Sequence, residues 1–338
     1  MKIGLGLYRR MLDRQHYDFA AQAGCTHVVA HLTDYTEGTE SPHPLEDPLW
    51  TREGMAALAK DVRAAGLELA AIENFDPRLW HDVLIDGPRR REQMEVLKRI
   101  VADAGSAGIP VIGYNFSIAG VVGRTRGPFA RGGAISVGMD GTDDTPMAAG
   151  EVWGMIYDPE AKGTLPPATH EQLWDRVTRF LAELLPVAEE SGVRLAAHPD
   201  DPPMPVLRGQ PRLVYQHWMY QRLMDLHAGE ANAIELCVGS LAEMTKGDLY
   251  ETVERFASQG RVAYVHLRNV VGTVPYYREV FIDEGDVDIP RVIDILENAG
   301  FDGVVVPDHT PTMSCDAGWH AGMAYALGYI RGVLQGRE

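Results

Sequence analysis

The chain has 338 residues, of which 45% are hydrophobic and 23% are charged, a composition typical of a folded globular protein. Its formal net charge of -17 disfavours nucleic acid and anionic membranes as partners. Three widely spaced cysteines, Cys25, Cys237 and Cys315, argue against a disulfide framework. The opening MKIGLGLYRR lacks the pattern of a signal peptide, and no apolar run approaches the roughly 20 residues that span a bilayer. We therefore expect a cytoplasmic protein.

Apolar runs alternate with helical patterns along the chain. The predicted strands are KIGLGL (2–7), THVVAHL (26–32), LELAAIEN (67–74), PVIGYNF (110–116), VRLAAHP (193–199), NAIELCVGS (232–240), VAYVHLRN (262–269) and GVVVPDH (303–309). Helices are predicted after these strands, within or near residues 16–24, 51–66, 89–107, 170–192, 212–227, 247–260, 290–300 and 318–334.

The strand candidates are nearly continuous apolar runs, which is typical of strands buried on both faces. Strands that alternate with helices indicate a parallel sheet with helices outside it, and eight such units indicate a (β/α)8 TIM barrel. An open doubly wound sheet is the alternative, but LYRRMLD follows the first strand where such folds carry a glycine-rich phosphate loop. The sequence therefore predicts one α/β barrel domain over residues 1–338.

Residues 117–168 form a predicted insertion after the fourth strand. This segment is longer than the usual loop between a strand and the following helix. The segment is rich in glycine and contains Arg124, Arg126 and Arg131. It is either a surface excursion or oligomer contact, or a lid that brings arginines to an anion above the barrel.

The ends of the last four strands carry the residues of chemical interest. They are His198, Cys237, His266 and Asp308. Each alone has an ordinary explanation as a core histidine, a buried thiol or a turn former. Since active sites of such barrels lie at the carboxyl ends of the strands, the four side chains are expected at one mouth. Two imidazoles, a thiolate and a carboxylate suit a divalent transition ion, with Zn²⁺, Fe²⁺, Mn²⁺ and Co²⁺ equally compatible.

Further polar residues beside these strand ends are candidates for catalysis and substrate binding. His309 is a candidate acid–base group, because the pKa of a free histidine lies near neutrality. Asn115, Arg268 and Asn269 are candidate substrate contacts, and Arg268 could pair a substrate carboxylate. If Arg268 instead faces the outer helices, we expect a structural salt bridge. Asp200 could orient a ligand or substrate hydroxyl, or solvate the turn. A polyhydroxylated substrate would also suit the polar residues at the earlier strand ends, which are His31, Glu73, Asn74 and Tyr114.

Several segments, in their order along the chain, resemble the mannonate dehydratase family of xylose-isomerase-like TIM barrels. They are AGIPVIGYNF, AAHPDDPP, ELCVGS, YVHLRNV, DEGDVDI and VPDHTP. The resemblance implies a hydro-lyase that converts D-mannonate to 2-keto-3-deoxy-D-gluconate and water with Mn²⁺ or Fe²⁺. It implies the same four metal ligands and a role for His309 in acid–base catalysis.

The chain also departs from the family pattern. It has PDHTP where the family has PDHG, and Trp319 stands where the family has a catalytic tyrosine. The second proton-transfer group is predicted to be Tyr325, a metal-bound water or a residue of the lid. A sugar isomerase or epimerase, and a non-catalytic sugar-acid binding protein, are the alternatives to the dehydratase. A small-molecule sugar acid is the expected ligand and a homo-oligomer the expected assembly.

Overall fold

The structure is a computed structural model that describes residues 1–33 and 47–336. Its strands are β1 (Lys2–Leu7), β2 (His27–Ala30), β3 (Glu68–Ile72), β4 (Val111–Tyr114), β5 (Thr125–Ala130), β6 (Ala134–Asp140), β7 (Glu151–Val152), β8 (Met155–Ile156), β9 (Arg194–Ala197), β10 (Val206–Leu207), β11 (Gln210–Pro211), β12 (Asn232–Cys237), β13 (Val262–His266), β14 (Asn269–Thr273), β15 (Tyr276–Val280) and β16 (Val304–Val306). Its α-helices are α1 (Arg14–Gln22), α2 (Arg52–Ala64), α3 (Pro77–Ile85), α4 (Arg90–Ser106), α5 (His170–Ser191), α6 (Met219–Asp225), α7 (Val238–Ala242), α8 (Leu249–Ser258), α9 (Ile289–Asn298) and α10 (Gly318–Gln335).

In the described part of the chain, eight parallel strands close into a barrel in the order β1-β16-β13-β12-β9-β4-β3-β2. The circle closes because β1 pairs with both β16 and β2. Each barrel strand lies within its predicted segment, so the predicted TIM barrel is confirmed. The sequence analysis missed the short helices α3 and α7 and the antiparallel strands that follow β4 and β13.

Apolar side chains pack on both sides of the barrel wall. Outside it the helices contribute amphipathic faces, as in α5, which buries Leu173, Val177, Phe180 and Leu184. Small and branched residues such as Ala196 fill the interior. Within residues 1–33 and 47–336, no helix is both long enough and apolar enough to cross a membrane.

The segment 117–168 contains strands β5 to β8, which its weak periodicity did not predict. β5 and β6 pair with the hairpin β14–β15 to form a four-stranded antiparallel sheet in the order β14-β15-β6-β5. This hairpin directly follows barrel strand β13, so the sheet lies at the carboxyl end of the barrel. The proposed lid function of the segment stays a prediction.

Asn269 holds the start of this hairpin in place. Its Nδ2 donates hydrogen bonds to the carbonyl oxygens of Ile282 and Val287, each at 2.9 Å. Its Oδ1 accepts from the backbone N–H groups of Val270 at 2.9 Å and Val287 at 3.0 Å. An asparagine amide offers two donors and two acceptor sites, so backbone groups occupy its whole hydrogen-bonding capacity. The predicted substrate contact at Asn269 is therefore replaced by a structural role.

Replacing Asn269 with alanine is expected to lower the free energy of unfolding by about 2–4 kcal/mol, because buried backbone groups lose their partners. Urea unfolding followed by circular dichroism measures this change. Asn298→Ala, at the exposed end of α9, is the matched control and should cost no more than about 0.5 kcal/mol. Equal stability of the two variants would contradict the assigned role of Asn269.

Candidate metal centre and active site

His198, Cys237 and His266 meet at the carboxyl end of the barrel. One potential ligand atom from each lies within 4.8 Å of the others. They converge because β9, β12 and β13 are neighbours in the barrel and each strand ends at or just before its residue. Asp308 follows the next strand, β16, and its Oδ2 lies 3.5 Å from Nδ1 of His266. Three of the four predicted ligands thus form one group, with Asp308 beside His266, and the ligand set stays a prediction.

Cys237 is poised to carry a negative charge. Burial raises the pKa of its thiol, but the charge of Arg268 and the neighbouring imidazoles of His198 and His266 outweigh this and hold the pKa well below its usual value. The sulfur also accepts hydrogen bonds from the backbone N–H of Ser240 at 3.4 Å and from its hydroxyl at 3.1 Å. These contacts make Cys237 the N-cap of α7 and fix the direction of the thiol.

His198 is oriented by its own loop. Its Nδ1 donates to the carbonyl oxygen of Pro199 at 2.5 Å, which leaves Nε2 as the nitrogen that faces the barrel axis and Glu235, 4.0 Å away. Burial lowers the pKa of His198, whereas Glu235 and Cys237 raise it to about 10. A backbone partner on one ring nitrogen is the usual arrangement of a metal-binding histidine.

Two buried glutamates contact Nε2 of His266, the ring nitrogen that does not face Asp308. Nε2 of His266 lies 3.2 Å from Glu73 Oε2 and 3.1 Å from Glu235 Oε1. The sequence analysis noted Glu73 only as a polar strand end and missed Glu235. Glu235 precedes Cys237 by two residues on β12, so the period of two along a strand could have placed both on one face.

The donor set fits a divalent transition ion. Nδ1 of His266 is buried and has no hydrogen-bond partner among residues 1–33 and 47–336, although buried polar atoms normally have one. A thiolate and two imidazoles within reach of one another are ligands that such ions prefer. Glu73, Glu235 and His266 form a second group with ligand atoms within 4.8 Å of one another, and it shares His266 with the first.

His309 lies beside this group and keeps 28% of its side chain exposed. Its Nδ1 lies 2.8 Å from Glu279 Oε2, and its Nε2 lies 3.3 Å from Asp308 Oδ1. Burial lowers the pKa of His309, but Asp308 and Glu279 outweigh this and raise it above its usual value. Glu279 lies within hairpin β14–β15, where no strand-end signal marked it in the sequence.

A family model described as D-mannonate dehydratase matches residues 167–338. A mannonate dehydratase of Streptococcus pneumoniae is 31% identical over 278 residues, which cover 77% of this chain and 74% of that protein. A mannonate dehydratase of Streptococcus agalactiae is 30% identical over 314 residues, which cover 86% of this chain and 89% of that protein. The crystal structure of mannonate dehydratase from Streptococcus suis superposes with a TM-score of 0.77 and 26% identity, covering 99% of this chain and 93% of that chain.

The chain belongs to the mannonate dehydratase family. This finding confirms the predicted family and favours a hydro-lyase over the isomerase and binding-protein alternatives. The segment matched by the family model contains His198, Cys237, His266 and Asp308. Metal dependence is general in the family, and this chain has residue groups able to hold an ion.

Arg268 was predicted to contact substrate, but the structure shows it buried and paired with carboxylates of the chain. It is 2% exposed, and its guanidinium donates to Asp308 at 3.1 Å, Glu243 at 2.6 Å and Asp201 at 2.8 Å. It lies a further 3.5 Å from Glu279. Carboxylates of the chain therefore occupy Arg268, and the structural salt bridge considered from the sequence is the arrangement observed.

Asp200 also has a structural role. Its Oδ2 accepts from the N–H groups of Leu213 and Val214, each at 2.7 Å. Its Oδ1 lies 2.8 Å from Nε of Arg212 in a salt bridge whose side chains are 0% and 3% exposed. The prediction of a substrate contact is thus corrected, because both oxygens of Asp200 anchor the HPDDPP loop to the segment before α6.

Asn115 and Tyr325 differ in how close they come to the site. Asn115 donates to the carbonyl oxygen of Pro199 at 2.9 Å, next to His198, and stays a predicted substrate contact. Tyr325 lies on α10, where its hydroxyl accepts from Arg131 at 3.4 Å and its ring contacts Phe281. Neither contact is with His309 or a proposed ligand, and the role of Tyr325 in proton transfer stays a prediction.

Cys237→Ser is expected to weaken the retention of bound metal by at least about tenfold, because an alcohol is a poorer ligand than a thiolate. Folding should be kept, since serine is a good N-cap for α7. Metal content after reconstitution with Mn²⁺ and dialysis measures the effect by mass spectrometry. The exposed Cys315 provides the matched control, Cys315→Ser, and equal metal content in both variants would contradict a ligand role for Cys237.

Proposed function

We propose that the chain dehydrates a sugar acid, D-mannonate or a closely related aldonate, to the 2-keto-3-deoxy acid with Mn²⁺ or Fe²⁺. The observation that carries this proposal is the placement of His309 beside the group formed by His198, Cys237 and His266. Family membership supports the substrate class. The homo-oligomeric state and the cytoplasmic location stay predictions.

His198, Cys237, His266 and Asp308 would hold the ion. When bound, a divalent ion stabilises the negative charge that develops on a substrate carboxylate as the neighbouring carbon loses a proton. This stabilisation matters because a carboxylate acidifies the carbon next to it only weakly. The mouth is rich in carboxylates and Arg268 is already paired, so the ion also compensates the charge of an anionic substrate.

His309 is the proposed base for the C2 proton. Its side chain is 28% exposed, with Nδ1 on Glu279 and Nε2, the nitrogen proposed to take the proton, 3.3 Å from Asp308 Oδ1. Glu279 fixes the orientation of the imidazole and stabilises the imidazolium that forms when the proton arrives, as carboxylate–histidine pairs do in other enzymes. Arg124 donates to Glu279 at 3.2 Å and keeps this carboxylate in place.

The purified chain, reconstituted with Mn²⁺, is expected to convert D-mannonate or a near stereoisomer to a 2-keto-3-deoxy acid. A panel of aldonates with detection of the keto acid measures this activity. Product mass separates the alternatives, because a dehydratase removes water and an isomerase does not. No loss of water from any aldonate, with metal bound, would refute the proposal.

Glu279→Gln is expected to lower kcat by about tenfold to hundredfold, because a neutral amide stabilises the imidazolium less. Metal content should not change, since Glu279 is not among the proposed ligands. Steady-state kinetics and metal analysis measure both. Glu254→Gln on the exposed face of α8 is the matched control, and unchanged kcat in Glu279→Gln would refute the role of this carboxylate.

A further inference from the structure

Tyr8 occupies a position at the mouth that the sequence analysis did not consider. It directly follows β1, the barrel strand between β2 and β16. Its ring stacks on His31, with centroids 4.8 Å apart and planes inclined by 28°. His31 is buried and lies 3.4 Å from Glu73, which in turn contacts His266. Tyr8 itself is only half-buried, so part of the residue stays exposed.

The charges that act on Tyr8 are those of the proposed active site. Burial raises the pKa of its phenol, and Asp308, Glu73 and Glu279 raise it further, whereas Arg124 lowers it. Asp308 and Glu279 are also the two carboxylates that contact His309. Tyr8 follows β1 and His309 follows β16, the strand paired with β1, so both residues lie at adjacent strand ends of the same mouth. The raised pKa means that the phenol keeps its proton at neutral pH.

We propose that the hydroxyl of Tyr8 is the general acid that protonates the departing C3 hydroxyl of the sugar acid. This inference rests on the proposed dehydration. His309 first takes the proton from C2, and the electrons of that C–H bond pass onto the substrate carboxylate as an enediolate. These electrons then form the C2=C3 double bond as the C3–O bond breaks. The phenol proton converts the departing hydroxyl to water, and the enol product tautomerises to the 2-keto acid. The proton on His309 then returns to the phenolate, so that protons and charge balance over the cycle.

Each of the two other aromatic candidates packs against other residues. Tyr325 contacts Arg131 and Phe281 on α10. Trp319 packs against His16 and Phe19 of α1, and an indole cannot serve as a proton acid of this kind. Tyr8, in contrast, stacks on His31 at the strand ends and reaches the ligand His266 through His31 and Glu73.

Tyr8→Phe removes only the hydroxyl and keeps the ring on His31. Dehydration is expected to fall by about 10² to 10⁴-fold in kcat, the usual contribution of a general acid. KM and bound Mn²⁺ should change little. Exchange of the C2 hydrogen with solvent should continue, because His309 still removes that proton and it equilibrates with water. Recovery of unreacted D-mannonate from D2O, followed by proton NMR, measures this exchange.

Tyr276→Phe is the matched control, because Tyr276 is 63% exposed on β15. Dehydration by Tyr8→Phe within about threefold of wild type would overturn the proposal. Loss of both dehydration and exchange, with fold and metal intact, would also overturn it, because Tyr8 would then act before C–O cleavage. Absence of dehydration in the wild-type protein would instead refute the proposed function, so the two failures are distinguishable.

Should Tyr8→Phe not fold, 3-fluorotyrosine at position 8 provides a second test. The substituted phenol keeps the ring and the hydroxyl but is a stronger acid. A general acid of this kind should change the dehydration rate by more than about twofold at a fixed pH. An unchanged rate across the pH range, with folding confirmed by circular dichroism, would overturn the role of Tyr8.

Discussion

The buried guanidinium of Arg268 is the charge around which the acidic groups of the mouth are arranged. It contacts Asp308, Glu243 and Asp201 while only 2% of the residue is exposed. Leaving such a charge unpaired in the interior costs about 3–5 kcal/mol, so these carboxylates and Arg268 depend on one another. Gly239 is part of the same constraint, because a side chain there would come within 2.5 Å of the guanidinium. Three residues of ELCVGS therefore act together. Cys237 provides the thiol, Gly239 leaves space for Arg268, and the hydroxyl of Ser240 contacts both.

The interior of the barrel below this arginine carries a second excess of acid. Glu73 and Glu235 both approach Nε2 of His266, and two carboxylates that share one partner do not ionise equally. Burial and the charge of Glu73 raise the pKa of Glu235, whereas His31 and His266 overcome burial and lower that of Glu73. The two carboxyl groups, with opposite pKa shifts, both contact Nε2, whereas Asp308 lies 3.5 Å from Nδ1.

Whether a site residue could be predicted from the sequence depends on what positions its side chain. His198, Cys237, His266 and Asp308 could be found because the carboxyl ends of parallel barrel strands always meet. Asp200 and Asn269 lie beside the same strand ends, but their side chains turn to backbone groups, and sequence position does not give that direction. Glu279 could not be found, because its place depends on how a hairpin pairs with a distant segment. Family resemblance gave the hydro-lyase class, which the strand ends alone left open.

This pairing also shows how the segment 117–168 takes part in the site. β6 pairs with β15 through Met139 and Tyr277, so the insertion fixes the strand that carries Glu279. Arg124 of the insertion then contacts Glu279 at 3.2 Å and Asp201 at 3.4 Å. Because Glu279 in turn contacts His309, the orientation of the proposed base depends on residues far from it in sequence. The arginine thus binds acids of the chain rather than a free anion, and this favours a fixed wall of the active site over a simple surface excursion.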